Sequence, residues 1–328
     1  MPRTGRRART FALTAALAST IVAGVAGAQG GAPAQVPAGV QALPPTPNCP
    51  DCAEWNAPHA PFRIFGNSYY VGTNGLGAIL VTSTDGHVLI DGALPESAPQ
   101  IVANIAAMGF RVSDIRIIVN SHAHFDHAGS IAEIQRLSGA TVAASAPSAR
   151  WLQAGRSGPD DPQYGMNPGF TPVPRVRVLR DGEVVQVGSL ALTAHFTGGH
   201  TPGGTSWSWQ SCEGARCLDL VYADSQTPIS ADDFFYTRSR QYRTGVEDFR
   251  KGQALLERIS CDILITPHPS ASSLWERLAG TGRGEANTGR AQSPASLVDR
   301  EACRRYAARG RASLEQRIAR ERAATPSR

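Results

Sequence analysis

Four side chains that can bind metal ions lie within six consecutive positions of this chain, at His122, His124, Asp126 and His127. Residues 114–120 before them have the apolar pattern of a buried strand, and residues 130–137 after them have apolar side chains at helical spacing. The side chains therefore lie at a strand-to-helix junction, where they can converge without disturbing a sheet. Imidazole and carboxylate groups suit zinc. A polar loop in which Asp126 caps the helix is the alternative, but it does not account for three histidines.

The rest of the chain shows strands followed by helices twice over, which predicts two β-rich halves. Predicted strands of the first half, which begins as an antiparallel meander, are 62–65, 68–71, 78–82, 87–91, 114–120 and 141–144. Predicted strands of the second half are 175–179, 183–187, 190–196, 205–209, 218–223 and 261–266. Predicted helices are 97–108, 130–137, 146–154, 245–259 and 298–323. We therefore expect an α/β (α+β) fold, an αββα sandwich with metal ligands in loops along one edge.

The N-terminal residues have the pattern of an export signal rather than of a folded domain. Residues 1–28 combine four arginines, an uncharged apolar run over 11–25 and small residues at 26–28, which predicts a cleaved signal peptide. A transmembrane anchor is the alternative, but the run is short for a span of ~20 residues. Residues 29–48 are rich in Ala, Gly and Pro, which indicates a flexible leader. We expect one domain over 49–328 and a periplasmic protein without a membrane anchor.

The net charge of +5 belongs mainly to the two ends of the chain. The first 28 residues hold four arginines and no acid, so cleavage leaves +1, and residues 300–328 hold nine arginines and three glutamates. The region between is therefore mildly acidic. A nucleic-acid site needs a basic face, and none surrounds the histidine cluster, so we expect no nucleic-acid partner. The chain has no long apolar heptad repeat of the kind that would indicate an oligomer, so we expect a monomer.

Two of the remaining histidines also follow predicted strands. His200 comes after the strand at 190–196 and is flanked by glycines, which let the backbone approach a bound group closely. His268 follows the strand at 261–266 and stands between two prolines. Each could be an ordinary loop histidine, but their positions at strand ends match that of the cluster. The other histidines have weaker contexts: His195 is expected to pack on its strand, His87 to be solvated at a hairpin turn, and His59 has no informative neighbours.

The chain resembles the metallo-β-lactamase superfamily, and within it the metallo-β-lactamases of subclass B3. The resemblance is carried by residues 121–129, 199–205, 222–225 and 266–272, and it extends over most of residues 54–278 and the terminal helix. It implies two zinc ions per chain. By this resemblance the first zinc is held by His122, His124 and His200, and the second by Asp126, His127 and His268.

The resemblance also implies the reaction. Such enzymes open the lactam ring of penicillins, cephalosporins and carbapenems with a metal-bound hydroxide, which confers antibiotic resistance. The catalytic roles fall on His122, His124, Asp126 and His200. A metal-bound water becomes hydroxide near neutral pH, so no covalent acyl-enzyme is needed.

Binding of the substrate carboxylate falls on Ser225 by the same resemblance. Many relatives have a second serine where this chain has Thr227. This is a departure from the family pattern, but threonine retains the hydroxyl group. Lys251 is the only lysine in the chain and lies in a predicted outer helix, so a lysine cannot perform this role.

The six cysteines lie outside the ligand pattern, and export permits disulfides. Cys212 and Cys217 flank a hairpin tip that a disulfide could close, and a disulfide between Cys261 and Cys303 would tie a strand to the terminal helix. The resemblance to the family implies both disulfides. Cys49 and Cys52 remain, and we expect a local disulfide between them.

Two features leave alternatives open. Related thioester hydrolases of the glyoxalase II type and lactonases use an aspartate near position 224 as a metal bridge, and Asp224 is present in this chain. A zinc-dependent binding protein without catalysis is a further alternative.

The second feature is the loop of residues 155–174, which is expected to lie over the site. Trp151, Tyr164 and Phe170 could contact a substrate there or pack on the body of the domain.

Overall fold

The computed structural model describes residues 1–2, 39–280 and 297–324, so nearly all of the predicted signal peptide and the leader up to residue 38 lie outside the described residues. Contacts divide the chain into Met1–Pro33 and Ala34–Arg328, and the strands and helices of the described residues belong to the second unit. Its strands are β1 (Phe62–Phe65), β2 (Ser68–Tyr70), β3 (Ile79–Ser83), β4 (Gly86–Ile90), β5 (Ile115–Val119), β6 (Thr141–Ala144), β7 (Val176–Val178), β8 (Val184–Val187), β9 (Leu190–Phe196), β10 (Thr205–Glu213), β11 (Arg216–Tyr222) and β12 (Ile263–Ile265). Its helices are α1 (Cys52–Trp55), α2 (Ala98–Ala107), α3 (Phe125–Ala128), α4 (Ile131–Ser138), α5 (Ala146–Ala154), α6 (Gly245–Leu256), α7 (Leu274–Leu278) and α8 (Ala302–Ala323).

The strands form two mixed sheets. The first has the order β1-β2-β3-β4-β5-β6-β7, and the second has the order β12-β11-β10-β9-β8. The expectation that the strand at 175–179 belongs to the second half is wrong, because β7 pairs with β6 of the first sheet. In the first sheet β1 to β4 run antiparallel, as the meander prediction requires, while β4 to β7 pair in parallel. In the second sheet only the β11–β12 pair is parallel. The parallel pairs matter for function, because they bring the carboxyl ends of neighbouring strands to one edge.

Alternate side chains of the central strands belong to different hydrophobic layers. Ile79 and Val81 of β3 lie in the core shared with Trp207 and Leu220 of the second sheet, whereas Leu80 faces the layer beneath the helices of the first half. A third cluster joins the outer face of the second sheet to α6 and α8. The central strands β3 and β4 are buried at nearly every position, so both of their faces are covered, whereas β8 and β9 alternate between buried and more exposed side chains. The predicted αββα sandwich is confirmed.

Several local expectations need correction. His87 is not solvated: it is 6% exposed, and its ring meets the Phe110 ring edge-on, 5.2 Å between centroids. The hairpin of β10 and β11 is longer than the strands predicted from the apolar residues, because the two strands stay paired through polar residues as far as Glu213 and Arg216. The end of the predicted flexible leader is held to the domain, since the Gln41 N–H donates to Glu133 Oε1.

The cysteines form three pairs, Cys49–Cys52, Cys212–Cys217 and Cys261–Cys303. The third joins the start of the β12 segment to α8, 42 residues later in the chain. Within the described ranges, no helix has the length and apolarity needed to cross a membrane.

Candidate metal centre

The histidine cluster begins shortly after β5 and continues into α3. His124 is the N-cap of this four-residue helix and has an extended backbone, with φ −84° and ψ 157°. Asp126 and His127 lie inside α3, so the alternative in which Asp126 caps the helix is wrong. The backbone passes from an extended conformation at His124 to a helical one at Asp126 and His127. As a result the buried side chains of one short segment are divided between two groups.

Two groups of potential metal ligands result, each with its ligand atoms within 4.8 Å of one another. The first group comprises His122, His124 and His200. The second group comprises Asp126, His127 and His268. All six are the residues singled out from the sequence. The rings of His122 and His127, one from each group, have centroids 4.5 Å apart, so the groups form one site.

The close approach of the His200 segment depends on its glycines. Gly199 has φ +132°, and a Cβ there would lie 2.3 Å from the Phe249 ring. A Cβ at Gly204 would lie 2.2 Å from Asp224 Oδ2. These two positions therefore require glycine, one for its backbone conformation and the other for space.

Each imidazole of the first group has one nitrogen held by an acceptor of the protein. His122 Nδ1 lies 2.7 Å from Asp224 Oδ1, and His124 Nε2 lies 3.0 Å from Asp161 Oδ2. His200 Nδ1 lies 2.9 Å from the Thr227 carbonyl oxygen, which can only accept. The opposite nitrogen of each ring is therefore left with a lone pair. Such hydrogen bonds set the tautomer and the ring orientation of metal-binding histidines.

Burial favours the neutral form of two histidines in the first group. Desolvation, reinforced by the neighbouring imidazoles, lowers the pKa of His122 well below its ordinary value. The same causes lower the pKa of His200 to about 3. Desolvation also raises the pKa of the Asp224 carboxyl well above its ordinary value, and a cation bound nearby would favour its ionised form. Neutral imidazoles are the protonation state that metal binding requires.

The second group is arranged around a carboxylate. Oδ2 of Asp126 lies 3.2 Å from His127 Nε2 and 3.2 Å from His268 Nε2. Burial raises the pKa of Asp126, but His127 and His268 outweigh burial and hold it well below its ordinary value. Burial lowers the pKa of His127, but Asp126 outweighs it and the net pKa is raised. The His268 side chain is 26% exposed, so this group borders solvent.

These residues fit a metal ion in their chemistry and in their unsatisfied atoms. His122 Nε2, the nitrogen opposite the one that contacts Asp224, is buried without a hydrogen-bond partner, although buried polar atoms are normally paired. Three imidazoles, or two imidazoles and a carboxylate, form three-ligand sets typical of zinc with an open position. The site is therefore a metal-binding site.

Asp224 is not a member of either group. It lies behind His122, where its Oδ1 accepts from the imidazole, and its backbone carbonyl accepts from the Tyr306 hydroxyl. Its sequence position had left open a role as a metal bridge. In the structure it contacts the ring of a candidate ligand, His122.

The loop of residues 155–174 supplies two contacts that the sequence did not predict. Asp161 contacts His124, and the Gln163 amide nitrogen lies 3.2 Å from His200 Nε2. The only sequence signal for them was their place in a long loop rich in Gly and Pro. Of the aromatic residues considered, Trp151 and Phe170 are buried in the body, while Tyr164 is 53% exposed.

A buried aspartate outside the cluster also went unrecognised. Asp91 follows β4 with φ +63°, and it accepts from the Ser121 N–H at 2.6 Å and from the Tyr222 hydroxyl at 2.8 Å. Burial raises its pKa to about 6. Only its position at the end of a strand could have drawn attention to it. Asp91 fixes the backbone immediately before His122.

The remaining predicted residues lie as follows. Ser225 is 9% exposed and follows Asp224 directly, whereas the Thr227 side chain is at the surface and its carbonyl contacts His200. Lys251 pairs with Glu247 on the outer face of α6, away from both groups. His195 packs on its strand with Nε2 2.8 Å from Ser208 Oγ, as expected, and His59 stacks on Trp275.

Comparisons with known proteins agree on one family. Residues 77–276 match the family model described as the Metallo-beta-lactamase superfamily. The solved structure of Rm3 metallo-beta-lactamase is 51% identical, covers 84% of this chain and 100% of its own, and has a TM-score of 0.79. MEM-A1, a subclass B3 metallo-beta-lactamase isolated from a soil metagenome library, is 46% identical over 83% of this chain and 100% of its own, with a TM-score of 0.78. SMB-1, solved with mercaptoacetic acid, is 42% identical over 81% of this chain and 99% of its own, with a TM-score of 0.74.

Proposed function

Because this chain belongs to the metallo-beta-lactamase superfamily, we propose that it is a zinc-dependent β-lactamase of the B3 type. Its reaction is hydrolysis of the amide bond in the lactam ring of penicillins, cephalosporins and carbapenems. The observation that carries the proposal is the pair of adjoining ligand groups, each with three donors suited to zinc.

Two zinc ions per chain are proposed. His122, His124 and His200 would hold the first, and Asp126, His127 and His268 would hold the second. Zinc bound there supplies Lewis-acid chemistry, activating water at neutral pH and polarising a carbonyl group.

The residues of the chain prepare the site in distinct ways. Asp224, Asp161 and the Thr227 carbonyl hold protons on the outer nitrogens of the first group, so that the other nitrogens present lone pairs. Asp126 stays ionised and contributes negative charge to the second group. No conventional nucleophile is assigned, and we place the reaction at the two metal groups.

We assign the substrate carboxylate to Ser225 and Thr227. Both follow β11, next to Asp224, and the Thr227 carbonyl contacts a ligand of the first group. The lysine that could have served, Lys251, is paired with Glu247 elsewhere on the surface. Two hydroxyl donors can bind a carboxylate without a cation.

The rival thioesterase or lactonase activity rested on Asp224 as a bridging ligand. The 2.7 Å contact of Asp224 with the outer nitrogen of His122 supports a different role for this carboxylate. The lactamase assignment therefore takes precedence.

We infer export to the periplasm through the signal at residues 1–28. The three cysteine pairs support this inference, because disulfides persist in oxidising compartments.

Hydrolysis of one penicillin, one cephalosporin and one carbapenem tests the function. Purified chain with zinc should hydrolyse at least one of the three, and a chelator should abolish turnover until zinc is restored. A thioester and a lactone are assayed in parallel. Turnover of these two alone, with all three lactams intact, would overturn the proposal.

A further inference from the structure

Asp161 connects the loop of residues 155–174 to the first ligand group. It is 1% exposed, with Oδ2 3.0 Å from His124 Nε2. Its other oxygen, Oδ1, accepts the Gln163 N–H at 3.0 Å. One carboxylate thus joins a ligand imidazole to the backbone of the loop.

The same stretch of the loop has further anchors. The Asp161 N–H donates to the Gly158 carbonyl, and the Asp161 carbonyl accepts the Tyr164 N–H at 3.0 Å. The Pro162 carbonyl accepts the Ala231 N–H at 2.8 Å, which ties the loop to the segment after β11. The turn around Asp161 therefore has a defined shape, and its carboxylate is presented to His124 by the loop backbone.

We propose that Asp161 is a positioning residue that couples the order of residues 155–174 to zinc binding at His124. This inference rests on the proposed zinc site. Asp161 holds the proton on His124 Nε2 and leaves the Nδ1 lone pair for the metal. In return, the metal-bound imidazole holds the loop in place.

The coupling has a direct physical cause. A metal on one nitrogen of an imidazole polarises the N–H on the other, and the hydrogen bond to a carboxylate then becomes charge-assisted and stronger. Zinc should therefore tighten the contact that anchors the loop. Because linkage is reciprocal, an ordered loop must raise the affinity of the first group for zinc by the same factor.

The neighbouring aspartate provides a matched control. Asp160 pairs with the exposed Arg150 at 2.9 Å and belongs to neither ligand group. Asp161→Asn and Asp160→Asn remove the same charge from adjacent positions. Circular dichroism and melting temperature establish that both variants are folded.

Two measurements on full-length wild type and both variants test the coupling. Competition with a chromophoric chelator gives zinc affinity, and we expect Asp161→Asn to bind the first-group zinc roughly 10–100-fold more weakly. Hydrogen exchange gives loop order, and we expect zinc to slow exchange across residues 158–170 in wild type and in Asp160→Asn, but not in Asp161→Asn.

The outcomes separate the alternatives. If Asp161→Asn binds zinc as wild type does, the inference is wrong, even when the loop exchanges faster, because the carboxylate then serves only loop structure. Equal weakening by both aspartate variants would also overturn it, since a general charge effect would explain it. If wild type bound no zinc, the proposed function itself would fail.

Discussion

The two ligand groups differ in what holds them together. In the first group, each histidine is fixed from behind by an acceptor on another element, namely Asp224, Asp161 or the Thr227 carbonyl. In the second group, the contacts run among the ligands themselves, with Asp126 Oδ2 between two imidazoles. The first group is thus held by acceptors outside it, whereas the ionic contacts of the second group run between its own members.

This difference predicts an asymmetric site. A preorganised group loses little conformational freedom when metal binds, so its affinity should be higher. The second group borders solvent at His268, and its own ionic contacts must be replaced by contacts to metal. We therefore expect the first group to retain zinc at chelator concentrations that empty the second.

His122→Ala should have the largest effect, because it removes a fully buried ligand of the preorganised group. The loss of kcat/KM should exceed the roughly 100-fold that removal of a ligand's partner costs, with one zinc fewer per chain. Steady-state kinetics and elemental analysis measure both. Activity within a few-fold of wild type would show that the first group does not carry the reaction.

Asp224→Asn should weaken zinc binding to the first group by about 10–100-fold and leave the second group unchanged. The amide keeps the shape of the side chain but is a poorer acceptor for His122 Nδ1. Chelator competition gives the affinities. Asp262→Asn, which changes a carboxylate bonded to the Asp219 N–H, serves as the control. If Asp224→Asn weakened zinc binding to the second group instead, the proposed difference between the two groups would be wrong.

Ser225→Ala should raise KM by roughly 10-fold, the value of one hydrogen bond to a charged group, with kcat nearly unchanged. This result places the residue in substrate binding rather than in metal binding. Thr227→Ser keeps a hydroxyl and should leave KM near the wild-type value. A fall in kcat at constant KM would assign Ser225 to the transition state.

Glu321→Gln should affect stability and leave the metal groups intact. Glu321 accepts the N–H groups of Tyr236 and Thr237 and pairs with Arg317, which joins α8 to the segment after β11. In the variant, the amide nitrogen is itself a donor and faces the donors that the carboxylate accepts from. This loss should lower the free energy of unfolding by about 1–3 kcal/mol at neutral pH. Denaturant unfolding measures this loss, and unchanged zinc affinity is expected.

The pH dependence of that variant has a definite sign. Burial raises the pKa of Glu321, but Arg317 and the donors of Thr237 and Tyr236 outweigh burial and lower it in the folded state. A lowered folded pKa contributes stability above the unfolded pKa, about 4.3, and the contribution disappears as the pH falls through the folded pKa. Wild type and Glu321→Gln should therefore converge in stability in acid. A difference that persists there would exclude the charge of Glu321 as its source.

The sequence predicted most of the elements and singled out the six residues that the structure brings together in two groups. Apolar runs mark the strands that are buried on both faces, and alternating patterns mark strands such as β8 and β9. His200 stands shortly after β9, and His268 stands shortly after β12. Local pattern and ligand chemistry were sufficient there. His87 was predicted wrongly because a hairpin position suggests solvent, and only packing against Phe110 reveals its burial.

What the sequence determined by itself was the set of candidate ligands and the resemblance to the family, because residue types and their spacing are properties of the chain. The tertiary structure alone decided the partners behind the ligands. Asp224 lies 102 residues from His122, and Asp161 lies 37 residues from His124. The local sequence around an aspartate does not predict which histidine its carboxylate will contact. That pairing is set by the packing of two sheets and the course of one loop, so it determines which ligand group is preorganised.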